Sequence, residues 1–209
     1  MFYPLKNKTE FNLVLLRPDN LPPGTRTAEG DVSEMRDTFT GWDNRLQLLV
    51  SCMKTCLKWK LCHMPELDTW IRGNVVLLGD ACHPSLPYQA QGAAMAVEDG
   101  AVLGTLLSKL QEMDGCNEHL AAVLKLYETL RKSRTAVQVQ GSINNREMFH
   151  MPDGPCQLER DKALSQIDWE RPSVWQWGDP EYVKGLMKFD AIRNAIDAFD
   201  TWLQARGNR

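Results

Sequence analysis

Short apolar runs at the start of the chain predict a β-hairpin. Residues 2–5 and 11–16 are rich in β-forming side chains, and the polar residues 6–9 separate them. Two such runs joined by a short polar segment are typical of paired antiparallel strands. A domain rarely opens in the middle of a sheet, so we expect this hairpin to belong to a larger sheet.

The segment that follows predicts a loop, two short helices and a strand. Residues 17–30 hold several prolines and glycines, which indicates a loop. A helix is expected over residues 31–39, with Asp31 as its N-cap. Residues 43–52 predict a second helix, and the alternation of polar and apolar side chains at residues 58–61 predicts a half-buried strand.

The apolar pattern changes at residues 75–78. Four consecutive β-forming residues there predict a strand covered on both faces, as in a parallel sheet. The strand ends at Gly79, and a loop with two prolines follows. Residues 92–111 then predict a helix on which small residues recur at helical spacing, so that one face can approach a backbone or a flat ligand closely. These small residues are Ala93, Ala96, Gly100 and Gly104.

Two more helices and an irregular segment complete the predicted pattern. Residues 119–140 predict a helix with an apolar stripe and a charged stripe, and the charged stripe is expected to face solvent. The apolar stripe is Leu120, Leu124, Tyr127 and Leu130, and the charged stripe is Lys125, Glu128, Arg131 and Lys132. Residues 150–181 are rich in proline and tryptophan and predict an irregular segment, whereas residues 188–205 predict a last helix.

Composition and charge place the chain among ordinary globular proteins. Of its 209 residues, 43% are hydrophobic and 24% are charged, which argues against wholesale disorder. A net charge of -3 and a pI near 5.8 do not favour nucleic acid as a partner. No apolar run reaches the ~18 residues of a membrane span. The first residues lack the order of a signal peptide, so we expect a cytoplasmic protein whose six cysteines are reduced.

The residues that end the predicted strand and begin the next helix carry the candidate chemistry. Asp80 places a carboxylate at the carboxyl end of the strand, where ligands of open α/β sheets bind, and it can accept hydrogen bonds from a polyol. The small residues 92–94 open a helix whose free backbone N–H groups can stabilise an anion. For an isolated aspartate, a turn or a helix cap would be the simpler role.

Other residues allow more than one interpretation. His83 can be a base, but a buried histidine before a proline is more often bonded to a backbone carbonyl, which is the role we favour. A zinc site would use Cys52, Cys56, Cys62 and His63, but their spacing fits no compact zinc site and no metal is predicted. Residues that can steer a carboxylate or lie in solvated loops are Arg17, Arg26 and Arg72. Residues that can line an aromatic pocket or a core are Tyr3, Phe11 and Trp59.

One extended run in the middle of the chain forms a distinctive pattern. It reads NVVLLGDACHP from residue 74, and it continues with Pro87, with QGA at residues 91–93 and with AVEDGAVL from residue 96. This pattern strongly resembles the flavoprotein aromatic hydroxylases, which are single-component FAD-dependent monooxygenases, and among them the salicylate-hydroxylase-like group. Weaker likenesses, at residues 3–5, 12–14 and 175–179, extend the resemblance over nearly the whole chain.

The resemblance implies an FAD site and assigns roles to residues of this run. By position in the family's pattern, Asp80 binds the ribityl chain of FAD and Pro87 lies beside the isoalloxazine ring. The backbone amides implied to face the N1–C2=O edge of the ring are those of Gly92, Ala93 and Ala94. The implied reaction transfers one oxygen atom of O2 to a small aromatic substrate, with NAD(P)H as the electron source. No catalytic side chain is assigned.

The resemblance also implies a fold class and a domain organisation. The class is α/β with mixed α+β character: the C-terminal part of a glutathione-reductase-like FAD-binding fold, part of the substrate-domain sheet, and C-terminal helices. Residues 1–70 are predicted to form the partial substrate-binding domain. Residues 71–112 are predicted to be the C-terminal part of the FAD-binding domain, and residues 113–209 a helical C-terminal region.

The sequence departs from the family's pattern in one serious respect. The Gly-x-Gly-x-x-Gly loop that cradles the FAD pyrophosphate in the family's N-terminal half does not occur in it, so the chain is interpreted as truncated. We expect a monooxygenase represented by its C-terminal portion or, alternatively, a non-catalytic remnant or partner protein that does not bind flavin on its own. A homo-oligomer, or a partner that supplies the missing half, would cover the exposed sheet edge.

Overall fold

The computed structural model describes residues 1–173 and 175–207, which divide into two compact units. The first unit is Met1–Leu61 and the second is Cys62–Arg209. Among the described helices, none combines the length and the apolar character that a membrane crossing needs.

The first unit begins with the predicted hairpin. Strands β1 (Phe2–Leu5) and β2 (Glu10–Leu13) pair antiparallel, with Phe2 opposite Leu13. The rings of Phe2 and Phe11 stack with their centroids 5.1 Å apart. Because Tyr3, Phe11 and Trp59 are 39%, 55% and 70% exposed, the structure places these aromatic side chains on the surface of the unit and not in a core.

A second strand pair and two short helices complete the first unit. Strands β3 (Thr27–Gly30) and β4 (Cys56–Trp59) are antiparallel. The predicted loop over residues 17–30 is therefore wrong at its end, since these residues extend to pair with β4. The helices are α1 (Val32–Thr38) and α2 (Asn44–Ser51), and both predicted N-terminal regions are confirmed by caps from Asp31 and Asp43. Arg17, one of the candidate steering residues, instead pairs with Glu34 at 2.7 Å.

The second unit is mainly helical. Helix α3 (Gly92–Gln111) has the predicted bounds, and α4 (Cys116–Phe149) is longer at both ends than predicted. The remaining helices are α5 (Pro155–Ser165), α6 (Pro180–Met187) and α7 (Ala191–Gly207). The prediction of an irregular segment over residues 150–181 is wrong where α5 forms. Proline starts this helix because its missing N–H costs nothing at the first position of a helix.

The core of the second unit lies where α3, α4 and α7 pack together. Its buried side chains come from all three helices and include Val102, Leu106, Val123, Tyr127 and Phe199. The ring of Trp70 belongs to the same cluster, and its backbone N–H donates to Glu128 Oε1 over 2.6 Å. The segment that enters this unit is thereby fixed to α4.

The predicted buried strand at residues 75–78 is wrong. Only Val75–Val76 form a strand, β6, which pairs antiparallel with β5 (Ile71–Arg72). The chain turns back at Gly73, so β5 is the strand that pairs with β6 within the described residues. Val75 is 65% exposed and Leu78 is 43% exposed, so an apolar surface remains open beside this short hairpin.

The prediction that the charged stripe of α4 faces solvent is confirmed for Lys125, and Lys132 is partly exposed, but it is wrong for the other two residues. Glu128 and Arg131 are buried, with 1% and 0% exposure. Residues three or four positions apart share one face of a helix, and the buried face of α4 continues past Tyr127 with polar side chains in place of apolar ones. That polar part of the face is Arg131, Thr135, Gln138, Ser142 and Asn145.

Replacing each of two helix glycines by alanine should change the free energy of unfolding in opposite directions. Gly104 of α3 has open space where a Cβ would lie, so Gly104→Ala should raise the free energy of unfolding by ~0.5–1 kcal/mol through helix propensity. Gly141 of α4 lies against the hydrogen-bonded amides of Gln89 and Gln176, which a Cβ would overlap. Gly141→Ala should lower stability, because separated buried amides cost ~1–3 kcal/mol. Urea denaturation of both variants tests this, and a gain at position 141 would contradict it.

Candidate functional site

The turn after β6 presents Asp80 at the surface. It is one turn of 3-10 helix, Gly79–Ala81, and Gly79 has a left-handed φ of 59°. A Cβ at position 79 would lie 3.2 Å from the Cβ of Ala96 in α3, so glycine suits both the conformation and the close approach. Asp80 is exposed, and no described residue pairs with its carboxylate. The carboxylate is therefore free to accept hydrogen bonds beside the start of α3.

The proline loop lies against the polar half of α4. Its buried residues anchor it, because the backbone N–H of Leu86 donates to Ser142 Oγ over 3.2 Å. Asn145 Nδ2 donates to the carbonyl of Tyr88 over 3.1 Å. Pro87, which begins a short 3-10 turn in this loop, is exposed. The helix thus fixes the loop from behind and leaves the proline ring at the surface.

The first turn of α3 leaves backbone donors free. The first hydrogen bond of the helix runs from Met95 N to Gln91 O over 2.9 Å, and the N-cap side chain makes no capping bond. Within the described residues, no acceptor lies against the amides of Gly92, Ala93 and Ala94. A Cβ on Gly92 would lie 3.2 Å from Ser85 Oγ. Free N–H groups at this end of a 20-residue helix favour negative charge nearby.

The residue that enters α3 has an unusual backbone conformation. Ala90 has a φ of 51° and a ψ of 31°, which is the left-handed region that glycine adopts without strain. Glycine is the residue that this conformation favours. The backbone turn is kept even though alanine occupies it.

A buried carboxylate holds the Gly79 turn. Asp99 of α3 has 0% exposure, and its Oδ2 accepts from the backbone N–H of Gly79 over 2.8 Å and from His83 Nε2 over 2.6 Å. Its Oδ1 accepts from Arg131 Nε over 2.7 Å. Burial raises the pKa of Asp99, but the bonds from His83, Arg131 and Gly79 outweigh it and the net pKa lies below the usual value. Asp99 is therefore ionised at neutral pH.

The charge network continues from Arg131 towards α6. Arg131 Nη1 and Arg134 Nε both donate to Glu98 Oε2 over 2.7 Å. Burial raises the pKa of Glu98, and the two arginines lower it to a net value below the usual range. Arg134 also donates to the carbonyl of Leu186, at the end of α6, over 3.4 Å. Two carboxylates and two guanidinium groups thus balance each other inside the second unit.

The interpretation of His83 needs a correction. Its predicted partner was a backbone carbonyl, but its ring nitrogen Nε2 lies 2.6 Å from the carboxylate of Asp99. The sequence placed Asp99 on a helix and gave no sign that this helix face meets the loop. A carboxylate already bound by Arg131 and by Gly79 orients the ring, and this is a structural role for His83 and not that of a free base.

Cys82, His83 and Asp99 form a buried cluster with metal-ligand side chains. The atoms that could bind an ion lie within 4.8 Å of one another. Among the described residues, this is the one group of three or more such side chains that lie so close together. Burial, with the charge of Asp99, raises the pKa of the Cys82 thiol to about 12, so the thiol is protonated at neutral pH. The carboxylate of Asp99 accepts hydrogen bonds from three donors. The Cys82 thiol, His83 and Asp99 thus hydrogen-bond within the protein, and this cluster supports the turn at Gly79.

Sequence reasoning missed Asp99 and Arg131 as supports of the site. The signal for Arg131 was present, because it continues the spacing of Leu124 and Tyr127 along one helix face. Charge alone argued for the opposite face. The five residues implied to bind FAD are distributed over the turn, the loop and the helix start as described above. Asp80, Pro87, Ala93 and Ala94 are exposed, and Gly92 is partly buried.

Comparison with known proteins shows which proteins this chain is similar to. The family model described as "FAD binding domain" matches residues 49–142. The FAD-dependent monooxygenase OpS4 of Beauveria bassiana (strain ARSEF 2860) is 42% identical over 199 residues, which cover 94% of this chain and 46% of OpS4. Salicylate hydroxylase of Pseudomonas putida is 30% identical over 178 residues, covering 80% of this chain and 40% of that enzyme. The chain is similar to FAD-dependent monooxygenases, and its middle part matches an FAD binding domain.

The comparisons also confirm the fold class. A solved salicylate hydroxylase in complex with its substrate superposes with a TM-score of 0.66 and 22% identity, over 94% of this chain and 46% of that structure. The expected mixture of helices and small sheets, as part of this family's fold, is thereby confirmed. The chain spans less than half the length of the relatives named here, in agreement with the expected C-terminal portion. FAD is confirmed as the cofactor of the family, and the predicted domain boundaries and site residues remain predictions.

Because of the buried charge network, substitution of two arginines of α4 should lower the stability of the protein by very different amounts. Arg131→Met should lower the free energy of unfolding by ~3–5 kcal/mol, because Asp99 would remain buried without its cation. The matched control is Arg146→Met on the same helix, where a surface pair with Glu147 contributes at most ~1 kcal/mol. Guanidinium denaturation measures both losses. Equal losses in the two variants would show that the network is not needed.

Proposed function

We propose that this chain forms the ribityl-facing and ring-facing side of the FAD site of a monooxygenase. The enzyme hydroxylates a small aromatic compound and uses O2 and NAD(P)H. The observation that carries the proposal is an exposed, unpaired carboxylate, Asp80, fixed beside the free N-terminal amides of a long helix. The names of the relatives, among them salicylate hydroxylase, support the aromatic class of substrate.

The exposed groups fit the flavin in their chemistry. The ribityl chain of FAD carries hydroxyl groups, and an ionised carboxylate is a strong acceptor for them. The pyrimidine edge of the ring gains negative charge on reduction, and the amides of residues 92–94 can stabilise that charge by ~0.3–1 kcal/mol at an exposed helix end and by more when covered. Pro87 offers a rigid apolar surface beside the ring, held by α4 through Leu86 and Tyr88.

The chemistry and the binding are divided between cofactor and protein. When bound, FAD supplies the electron transfer and the activation of O2. In our proposal the chain's own residues bind and orient the cofactor. Asp80 binds the ribityl chain, and the backbone amides at the start of α3 stabilise negative charge at the pyrimidine edge of the ring. Water must be excluded for efficient oxygen transfer, so the site has to be covered from outside.

The apolar surface around the site supports a cover made of protein. Val75, Leu78 and Val97 are 65%, 43% and 73% exposed in the second unit, close in sequence to the turn and the helix start. We propose that the phosphate-binding half of the family's fold lies on this surface, in the same or in another polypeptide. The cytoplasmic setting is likewise a proposal, and thiols such as those of Cys52, Cys82 and Cys156, which form no disulfide, support it.

Asp80 provides the direct test of the site. Asp80→Asn should weaken FAD binding about tenfold or more, because a charge-assisted hydrogen bond is lost. Asp114→Asn, an exposed aspartate beyond the end of α3, is the matched control and should leave affinity unchanged. Titration of FAD, followed by its fluorescence, measures both. If the unmodified chain is colourless and does not bind added FAD, the proposal fails in favour of a remnant that binds no flavin on its own.

The parts of FAD that this chain is proposed to hold predict a ligand preference. All proposed contacts reach the ribityl chain and the isoalloxazine ring, and none is assigned to the pyrophosphate or the adenosine. Riboflavin should therefore bind the isolated chain within about tenfold of the affinity for FAD, or ~1.4 kcal/mol. Competition between the two flavins in equilibrium dialysis measures this ratio. A preference for FAD of several orders of magnitude would place the main contacts elsewhere.

A further inference from the structure

We propose that Asp99 is a positioning residue for flavin binding, which clamps the turn that presents Asp80. This inference deepens the proposed function and rests on it. Asp99 touches no proposed ligand atom, and its effect on the cofactor passes through the backbone of the turn.

The clamp acts on both ends of the turn. Asp99 Oδ2 accepts from the backbone N–H of Gly79, the residue directly before Asp80. The same oxygen accepts from the ring of His83, at the other end of the turn. The turn is closed on itself by the N–H of His83, which donates to Gly79 O over 3.0 Å. Asp80 thus lies between two residues that one buried carboxylate holds.

Besides the clamp, the turn is held by bonds from the N–H groups of Cys82 and His83 and from Cys82 Sγ, which all reach the carbonyl of Gly79. These bonds close the turn on itself but do not tie it to α3. Asp80 and Ala81 are exposed, and the left-handed φ of Gly79 is a conformation that a flexible glycine leaves easily. The contact of Gly79 with Ala96 sets the distance between turn and helix but not the direction of the turn. A hydrogen bond to an ionised acceptor is directional and stronger than one to a neutral acceptor.

The position of Asp99 is set by the packing of α3 and α4 and not by the turn. Arg131 binds its second oxygen, and Arg131 in turn is fixed by Glu98 and by the carbonyl of Met95 at 3.3 Å. Asp99 is 0% exposed, so it has no solvent-facing alternative. The helix pair therefore imposes one geometry on the turn, which is what a binding carboxylate requires.

The test asks whether one substitution changes hydrogen exchange at the turn alone or throughout the second unit. Asp99→Asn keeps the size and one acceptor oxygen but removes the charge. We expect amide hydrogen exchange at Gly79 to become about 10- to 100-fold faster, with Val102 in the middle of α3 changing less. The affinity for FAD, measured by the same titration as above, should fall by a similar factor.

A buried control separates positioning from loss of stability. Leu110→Ala, in the last turn of α3, removes a core side chain that makes no polar contact with the turn. It should accelerate globally exchanging amides together and leave the FAD affinity of the folded protein unchanged. If Asp99→Asn shows only this uniform pattern, with FAD affinity retained, the proposal is wrong.

A second variant covers the case in which Asp99→Asn does not fold. His83→Leu, whose side chain cannot donate a hydrogen bond, frees one end of the turn and leaves the bond between Asp99 and Gly79 in place. It should weaken FAD binding severalfold while the Gly79 amide keeps its protection, and unchanged affinity would contradict the clamp. If the unmodified chain binds neither FAD nor riboflavin, the proposed function fails. In that case, the rate of amide hydrogen exchange at Gly79 in the Asp99→Asn variant alone tests the clamp.

Discussion

One buried carboxylate supports the part of the molecule that is proposed to face the cofactor. Asp99 lies inside the second unit, and it is compatible with burial because a guanidinium, an imidazole and a backbone amide all donate to it. A charge in that position would be costly without such partners. The polar interior therefore follows from the need to hold a glycine turn in one conformation, and the apolar core formed by α3, α4 and α7 provides the rigid frame around it.

The groups proposed to contact the flavin differ from the side chains that support them in burial and in hydrogen bonding. Side chains that support the site are buried and fully paired, whereas the groups proposed to face the flavin are exposed and unpaired within the described residues. This division is typical of a surface that another layer covers, since unpaired carboxylates and free helix amides are stable in water and become strong binding groups once water is displaced. The exposed side chains of Val75 and Val97 belong to the same surface and fit such a layer.

Much of the fold could be predicted from the sequence because its signals are local. The hairpin, the caps of α1 and α2 and the bounds of α3 all follow from residue type and periodicity. The errors arose where distant contacts decide. Residues 27–30 form a strand through their pairing with β4, and Arg131 is buried through Asp99 and Glu98. The site residues came from a family pattern, which marks a cofactor surface but not the side chains behind it.

The length of α4 has a consequence for how this family can diversify. A helix of 34 residues spans about 50 Å, and its two ends serve different neighbours. The apolar end stabilises the core through Val123 and Tyr127, while Ser142 and Asn145 at the polar end set the path of the proline loop. Substitutions at the polar end can therefore redirect that loop and reshape the proposed surroundings of the flavin ring, while the fold keeps its stability from the opposite end.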